Sequence, residues 1–281
     1  MSAKLAVQQF GQGPDLVLVH GLGASRAFWY PRLAAPLAAQ HRVTLYDLRG
    51  HGYSERTQDG YSASAQADDL LRLMDAQNIE RAVLIGHSYG GGIVLEAALR
   101  APERCRALCL MDTRIQRLQP ELRLHDAQPL TPFEQAVAAS QPGEGENSWE
   151  HEREVGFRFI EAAARCVTGN IELEVRDEVT PFGEGRGAKR AAQAWLHLLD
   201  HTAARAEFLE AGATLDEIQR LRVPALLMYA SHTRALKSAQ ALQAAWPQAR
   251  FLQIPRSGHF FPMSHSEICL EHLRQFLGEL P

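Results

Sequence analysis

Short apolar runs that end in polar, glycine-rich corners set the rhythm of this chain. Leu16-Val17-Leu18-Val19 stops at His20-Gly21-Leu22-Gly23, and Arg42-Val43-Thr44-Leu45-Tyr46 stops at Asp47-Leu48-Arg49-Gly50-His51-Gly52. Ala82-Val83-Leu84-Ile85 runs into Gly86-His87-Ser88-Tyr89-Gly90, and Ala107-Leu108-Cys109-Leu110-Met111 runs into Asp112. Two further runs, 225–229 and 250–254, follow after a long interval. Unbroken apolar runs of four to six residues suit strands buried on both faces. Segments of helical period lie between them, at 65–76, 93–100, 238–246 and 266–277. Strand–helix alternation of this kind predicts an α/β fold, a doubly wound parallel sheet with right-handed crossovers. The alternation breaks between about 113 and 215, where the composition is largely helical, most clearly at 153–165 and 188–209. We therefore expect a core of 1–112 and 216–281, with 113–215 inserted as a helical cap over the carboxyl edge of the sheet.

Composition narrows the classes of function. Of 281 residues, 46% are hydrophobic and 22% charged, as in an ordinary soluble globular protein. No run of about 18 apolar residues is present, which predicts no membrane-spanning helix. Residues 1–10 lack the apolar centre of a secretory signal. A formal charge of −4 without a long basic run argues against nucleic acid or an anionic membrane as the main partner. Cys105, Cys109, Cys166 and Cys269 are scattered without C-x-x-C spacing, so four reduced thiols in a cytoplasmic protein are expected. No cofactor or metal is expected either. Gly21-Leu22-Gly23-Ala24-Ser25-Arg26 lacks the third glycine of a dinucleotide fingerprint. His197 and His201 have i, i+4 spacing but no adjacent glutamate or obvious third ligand. Nothing in the sequence specifies an oligomeric state.

The candidate chemistry centres on Ser88. The G-x-S-x-G spacing between a predicted strand and a predicted helix holds the serine on a strained turn, with its hydroxyl out at the carboxyl end of the sheet. A serine hydroxyl is a weak nucleophile and needs a base, itself oriented by a third group. Among twelve histidines, His259 in Ser257-Gly258-His259-Phe260-Phe261 follows the last predicted strand, on the edge where the Ser88 turn opens. His265 is the second candidate. His87 is read as packing beside the nucleophile, and His20 and His51 as bonding within the loops beneath it. Acyl transfer also needs donors aimed at a developing oxyanion. The N–H of Tyr89, next after the nucleophile, and that of Leu22, in the loop after the first apolar run, fit that role.

Four motifs, HGLGAS, DLRGHGYS, GHSYGG and SGHFF, stand in the order found in α/β-hydrolases of the esterase, lactonase and haloperoxidase-like group, and the chain resembles that family from about residue 16 to 277. The resemblance implies an eight-stranded, mostly parallel sheet with helices on both faces, a helical cap, no cofactor, and hydrolysis through an acyl-serine. Ser88 then matches the nucleophile, His259 the base, and Leu22 and Tyr89 the oxyanion donors. One position departs from the pattern. Where many relatives carry their acid after the next-to-last strand, this chain reads Ala230-Ser231-His232-Thr233-Arg234, and Thr233 cannot bear a negative charge. Asp112, at the end of the strand after the nucleophile's helix, is the expected replacement, as in other branches of the fold. The alternatives are that it caps its loop or pairs with Arg114, or that a cap carboxylate such as Asp126 serves. Trp29 and Phe260, with Phe28, Phe133, Phe182 and Trp195, are candidates to line an apolar pocket, and Arg26 or Arg114 to hold an acidic group. The reading is a serine hydrolase acting on a small-molecule ester, thioester or lactone with an apolar acyl group. The alternatives are a small-molecule sensor, or a lyase or acyl-transfer enzyme on the same fold.

Overall fold

The computed structural model describes residues 3–30, 32–171, 181–182 and 186–280. In chain order the elements are β1 (Val7–Phe10), β2 (Asp15–Val19), α1 (Ala34–Leu37), β3 (Arg42–Tyr46), α2 (Ala63–Ala76), β4 (Ala82–His87), α3 (Tyr89–Arg100) and β5 (Cys105–Met111). An inserted stretch follows, with α4 (Pro132–Ser140), α5 (Val155–Gly169), α6 (Arg186–His201), α7 (Ala204–Glu207) and α8 (Leu215–Arg220). The chain then returns to the sheet through β6 (Ala225–Ala230), α9 (Leu236–Ala245), β7 (Arg250–Ile254), α10 (Phe261–Ser264) and α11 (Ser266–Gly278).

All six predicted strands form. With β1 they lie in one sheet in the order β1-β3-β2-β4-β5-β6-β7, parallel throughout except that β1 runs antiparallel to β3. Among the described residues the sheet has seven strands and not the eight the resemblance implies. The segment before β1 adds no strand because its backbone bonds to a loop instead. The Lys4 carbonyl accepts from Glu55 N–H, the Ala6 carbonyl from Asp47 N–H, and Ala6 N–H donates to Ser54 Oγ. β1 itself escapes the apolar pattern because Val-Gln-Gln-Phe exposes its two central residues at the sheet edge.

The central strands are apolar because both their faces are covered. β4 is buried at every position. Val17, Leu84, Leu108 and Leu227 face a cluster completed by α2, α3 and α9, while Leu16, Val83, Cys109 and Met228 face one completed by α1 and α11. Each such side chain contributes about 1.5–3 kcal/mol by leaving water, which fixes the register of the strands and the position of their carboxyl ends. The chain leaves β2 for β3 on one side and returns to β4 on the other. Loops therefore part at the carboxyl ends of β2 and β4, which is where open α/β sheets form a crevice.

The inserted stretch carries two further apolar clusters, the second shared with Tyr61 from the segment before α2. One is built around Phe133, Trp149 and Phe159, the other around Tyr61, Trp195, Leu198 and Phe208. Two ion pairs join it to the loop and helix that follow β6, Arg234–Glu134 and Lys237–Asp126, while Arg114–Glu154 holds its own first residues. No helix among the described residues is long and apolar enough to cross a membrane.

Candidate active site

Backbone sterics build the turn after β4. Ser88 has φ 55° and ψ −122°, a conformation L-residues rarely adopt. Its N–H donates to the Met111 carbonyl at 2.8 Å, which ties the turn to the end of β5. Glycine is required on either side. A Cβ on Gly86 would lie 2.6 Å from the Cα of Gly91, and one on Gly90 would overlap the carbonyl oxygens of Val19 and His20. α3 begins at Tyr89, so the Tyr89 N–H has no intrahelical acceptor.

Asp112 leaves β5 with φ +48°, in the left-handed region that aspartate tolerates better than most residues. Its N–H donates to the Met228 carbonyl at 2.8 Å, and its Oδ1 accepts from the Ala230 N–H at 2.9 Å. The other oxygen, Oδ2, lies 2.7 Å from His259 Nδ1. A carboxylate accepts, so Nδ1 carries a proton, and in the neutral ring Nε2 is then the nitrogen with the lone pair. The Asp112 side chain is 2% exposed and that of His259 44%. Thr233 has no part in this contact; its Oγ1 accepts from the Ala235 N–H at 3.0 Å within its own loop. Asp126 accepts from Arg123 N–H and pairs with Lys237, and Arg114 pairs with Glu154 and not with Asp112. Ser88 Oγ and His259 Nε2 bond to no described residue, and both side chains line one cavity.

Two buried histidines support the loop that carries Leu22. His20 donates from Nδ1 to the Gly21 carbonyl at 2.8 Å, and its Nε2 accepts from Leu48 N–H at 3.1 Å. His51 donates from Nδ1 to the Arg49 carbonyl at 3.0 Å and accepts from Gly23 N–H at 3.2 Å. Burial drives the His20 pKa down to about 3, helped by the neighbouring His51 and opposed by the bond to Gly21. Burial likewise drives His51 down to about 4, against the bond to Arg49. Both rings are therefore neutral near pH 7, as their donor–acceptor roles require. Leu22 and Tyr89 line the cavity, and the Leu22 N–H meets no acceptor among the described residues.

The cavity holds about 460 Å³ between the loops after β2, β4, β5, β6 and β7 and the inserted helices. Phe260, Phe28 and Phe133 line it as expected, joined by Phe157, Phe159 and Phe208. Those three went unnoticed because an aromatic on an amphipathic helix reads as core whichever way it faces. Trp29 is a correction: at 1% exposure it packs under the site in the α1–α11 cluster and lines no part of the cavity. Trp195 and Phe182 pack into the insertion's own clusters. Neither arginine singled out for an acidic group is free to hold one. Arg26 binds Asp47 through its N–H and its guanidinium, and Arg114 is engaged by both Glu154 oxygens and the Gln119 carbonyl. The rings of His197 and His201 lie 4.3 Å apart, but no group of three potential metal ligands forms among the described residues.

The chain is 44% identical over 104 residues to the 2-hydroxymuconate semialdehyde hydrolase of Pseudomonas sp. strain CF600, 36% of this chain and 37% of that one. It is 40% identical over 108 residues to a pimeloyl-(acyl-carrier protein) methyl ester esterase of Aliivibrio salmonicida, 38% of this chain and 39% of that one. The matched stretch thus spans about two fifths of the length of these relatives. Among solved structures, a thermophilic esterase from Thermogutta terrifontis superposes with a TM-score of 0.67 at 24% identity, over 99% of this chain and 94% of that one. The enol-lactonase from Burkholderia xenovorans LB400 gives 0.64 at 23% identity, over 99% and 97%. A family model described as alpha/beta hydrolase fold matches residues 14–266. With the sheet order, the turn at Ser88 and that match in agreement, the chain belongs to the alpha/beta hydrolase fold family.

Proposed function

We propose that this chain is a serine hydrolase that cleaves a carboxylic ester, thioester or lactone bearing an apolar acyl group. The observation that carries this reading is the 2.7 Å contact between His259 Nδ1 and Asp112, on the same cavity as the strained Ser88 turn. Ser88 Oγ attacks the substrate carbonyl while His259 Nε2 takes its proton. Asp112 holds the Nδ1 proton and stabilises the imidazolium without itself becoming protonated. The tetrahedral oxyanion accepts from the N–H groups of Leu22 and Tyr89. Collapse breaks the bond to the leaving group, which departs with the proton from His259. Water, deprotonated by His259, then cleaves the acyl-Ser88 ester and restores the hydroxyl.

The aromatic lining favours an apolar acyl chain, and residues 113–215 serve as the cap over it. The esterase and lactonase among the structural neighbours fit the same chemistry. Four buried free thiols fit a reducing, cytoplasmic setting. The carboxylate of Asp112, bonded to His259, offers the charge that Thr233 cannot bear, which supports hydrolysis over a small-molecule sensor.

Fluorophosphonate labelling with Ser88→Ala as control tests the reading. Stoichiometric labelling of the wild type, absent in the variant, is expected. A folded wild type that stays unlabelled overturns it. A panel of acyl p-nitrophenyl esters, acyl thioesters and lactones then ranks the bond types.

A further inference from the structure

We propose that His87 is a positioning residue for the base: its imidazole fixes the backbone of His259 relative to Ser88 by donating a hydrogen bond to the His259 carbonyl. The proposal rests on the assignment of His259 as the base of a serine hydrolase. His87 ends β4, immediately before Ser88, and its Nε2 lies 2.8 Å from the His259 oxygen. A carbonyl can only accept, so Nε2 carries the hydrogen. The other nitrogen, Nδ1, is buried with no partner, which leaves the neutral Nε2–H tautomer as the one that suits the site. Burial lowers the His87 pKa well below 6.5, assisted by the nearby His259 ring and opposed by the bond to its carbonyl.

The ring is gripped on several sides. Phe28 stacks on it at 4.7 Å and 19°, Trp29 meets it edge-on at 6.5 Å, and the His259 ring lies 4.7 Å away. Behind it, a Cβ on Gly21 would stand 3.4 Å from Nδ1 and 2.9 Å from Ser88 Cβ, so the ring also packs under the loop that carries Leu22.

The loop that bears His259 is held far less firmly. Pro255 and Arg256 are exposed, Arg256 has φ +51°, and nothing lies within 4 Å of where a Gly258 Cβ would be. Its backbone and Ser257 are anchored by Ser257 N–H on Ser231 Oγ, Ser257 Oγ on the Ile254 carbonyl, His232 N–H on the Ser257 carbonyl, and Phe261 N–H on the Gly258 carbonyl. None of these connects the base to the strand that carries the nucleophile. Asp112 sets how the His259 ring is turned, and His87 sets where its backbone hangs. A neutral imidazole suits the task because it reaches across 172 positions of sequence with one donor, stacks flat on Phe28 while meeting the His259 ring at a tilt, and adds no charge to a buried site.

The test compares His87→Phe, which keeps a flat ring without the donor, with His87→Gln, whose amide reaches the place of Nε2. A misplacement of about 1 Å in a reacting group costs about 100-fold. We expect kcat of His87→Phe to fall about 10- to 100-fold with KM nearly unchanged, and His87→Gln to recover most of it. The downfield proton NMR signal of the His259–Asp112 bond is expected to broaden in His87→Phe and return in His87→Gln. If His87→Phe does not fold, His87→Gln against the shorter His87→Asn carries the test, with Gln active and Asn impaired. Equal kcat in Gln and Asn variants, an unchanged kcat in His87→Phe, or a loss that follows thermal stability without rescue by Gln would each overturn the proposal. An unlabelled Ser88 in the wild type would instead overturn the hydrolase reading on which it rests.

Discussion

Replacing Asp112 by asparagine puts one donor where the aspartate has two acceptors. Its oxygens now face the Ala230 N–H at 2.9 Å and His259 Nδ1 at 2.7 Å. If the amide oxygen keeps Ala230, the NH₂ faces His259, Nδ1 must accept, and the ring proton moves to Nε2. That tautomer cannot take a proton from Ser88. If the amide flips, its NH₂ opposes the buried Ala230 N–H, at a cost of about 1–3 kcal/mol. The nonproductive tautomer is therefore favoured by about 5- to 150-fold, each 1.36 kcal/mol being tenfold. Losing the charge that stabilises the imidazolium adds the rest, and the same change in a serine protease triad costs about 10⁴-fold in kcat. We expect a drop of that order, about 5 kcal/mol of transition-state stabilisation. Steady-state hydrolysis of a p-nitrophenyl ester and the rate of fluorophosphonate labelling measure it, with circular dichroism and thermal midpoint confirming the fold. A folded Asp112→Asn enzyme within tenfold of wild type refutes the assignment.

Other variants probe the surroundings. Thr233→Ala removes the hydroxyl that accepts from Ala235, costing about 0.5–1.5 kcal/mol of stability while turnover stays within a few-fold; a loss rivalling that of Asp112→Asn would return the acid's role to this loop. Gly90→Ala forces a Cβ onto two carbonyl oxygens, so poor folding or a loss of several kcal/mol is expected, and a native-like melting curve would contradict the packing. The unfolded chain protonates His51 near pH 6.5 and the folded chain only near about 4, so stability falls as pH drops through that window. The limiting slope is about 1.4 kcal/mol per pH unit, and a urea-unfolding difference between wild type and His51→Gln that stays constant from pH 6 to 5 would contradict it. The four free cysteines are buried, so a thiol reagent should titrate none in the native protein and four after unfolding; rapid reaction in the native state would show the burial to be wrong.

The inner strands were readable because burial on both faces forces an apolar run, and β2 to β6 obey that rule. By contrast β7, Arg-Phe-Leu-Gln-Ile at the sheet edge, is buried only at Ile254 and was found from its three apolar positions. β1 did not announce itself, since an edge strand of four residues needs only its outer positions apolar. Ser88 and the adjacent loops were legible because a sharp turn beside crossing backbone demands glycine at fixed offsets. The contact of Asp112 with His259 was less visible. It depends on β5 lying against β6 and on the left-handed turn at Asp112, which no local pattern encodes. The lining of the cavity was least legible. Trp29 and Phe28 are neighbours in sequence, yet one packs into the core and the other faces the cavity. The bond from His87 to the His259 carbonyl joins residues 172 positions apart, and only the folded sheet brings them together.

The left-handed turn at Ser88 makes the nucleophile a net drain on the folded state. A residue held in so sparsely populated a region costs about 1–3 kcal/mol, and the flanking glycines each surrender more backbone freedom than any other residue would. Glycine in place of Ser88 would relieve the strain and cost the fold little else. The sheet tolerates the serine because two apolar clusters close over β4 and leave its end no other path. Stability and chemistry therefore pull in opposite directions at this one position. The reserve that the core lends to Ser88 is reserve that substitutions elsewhere in the chain cannot draw upon.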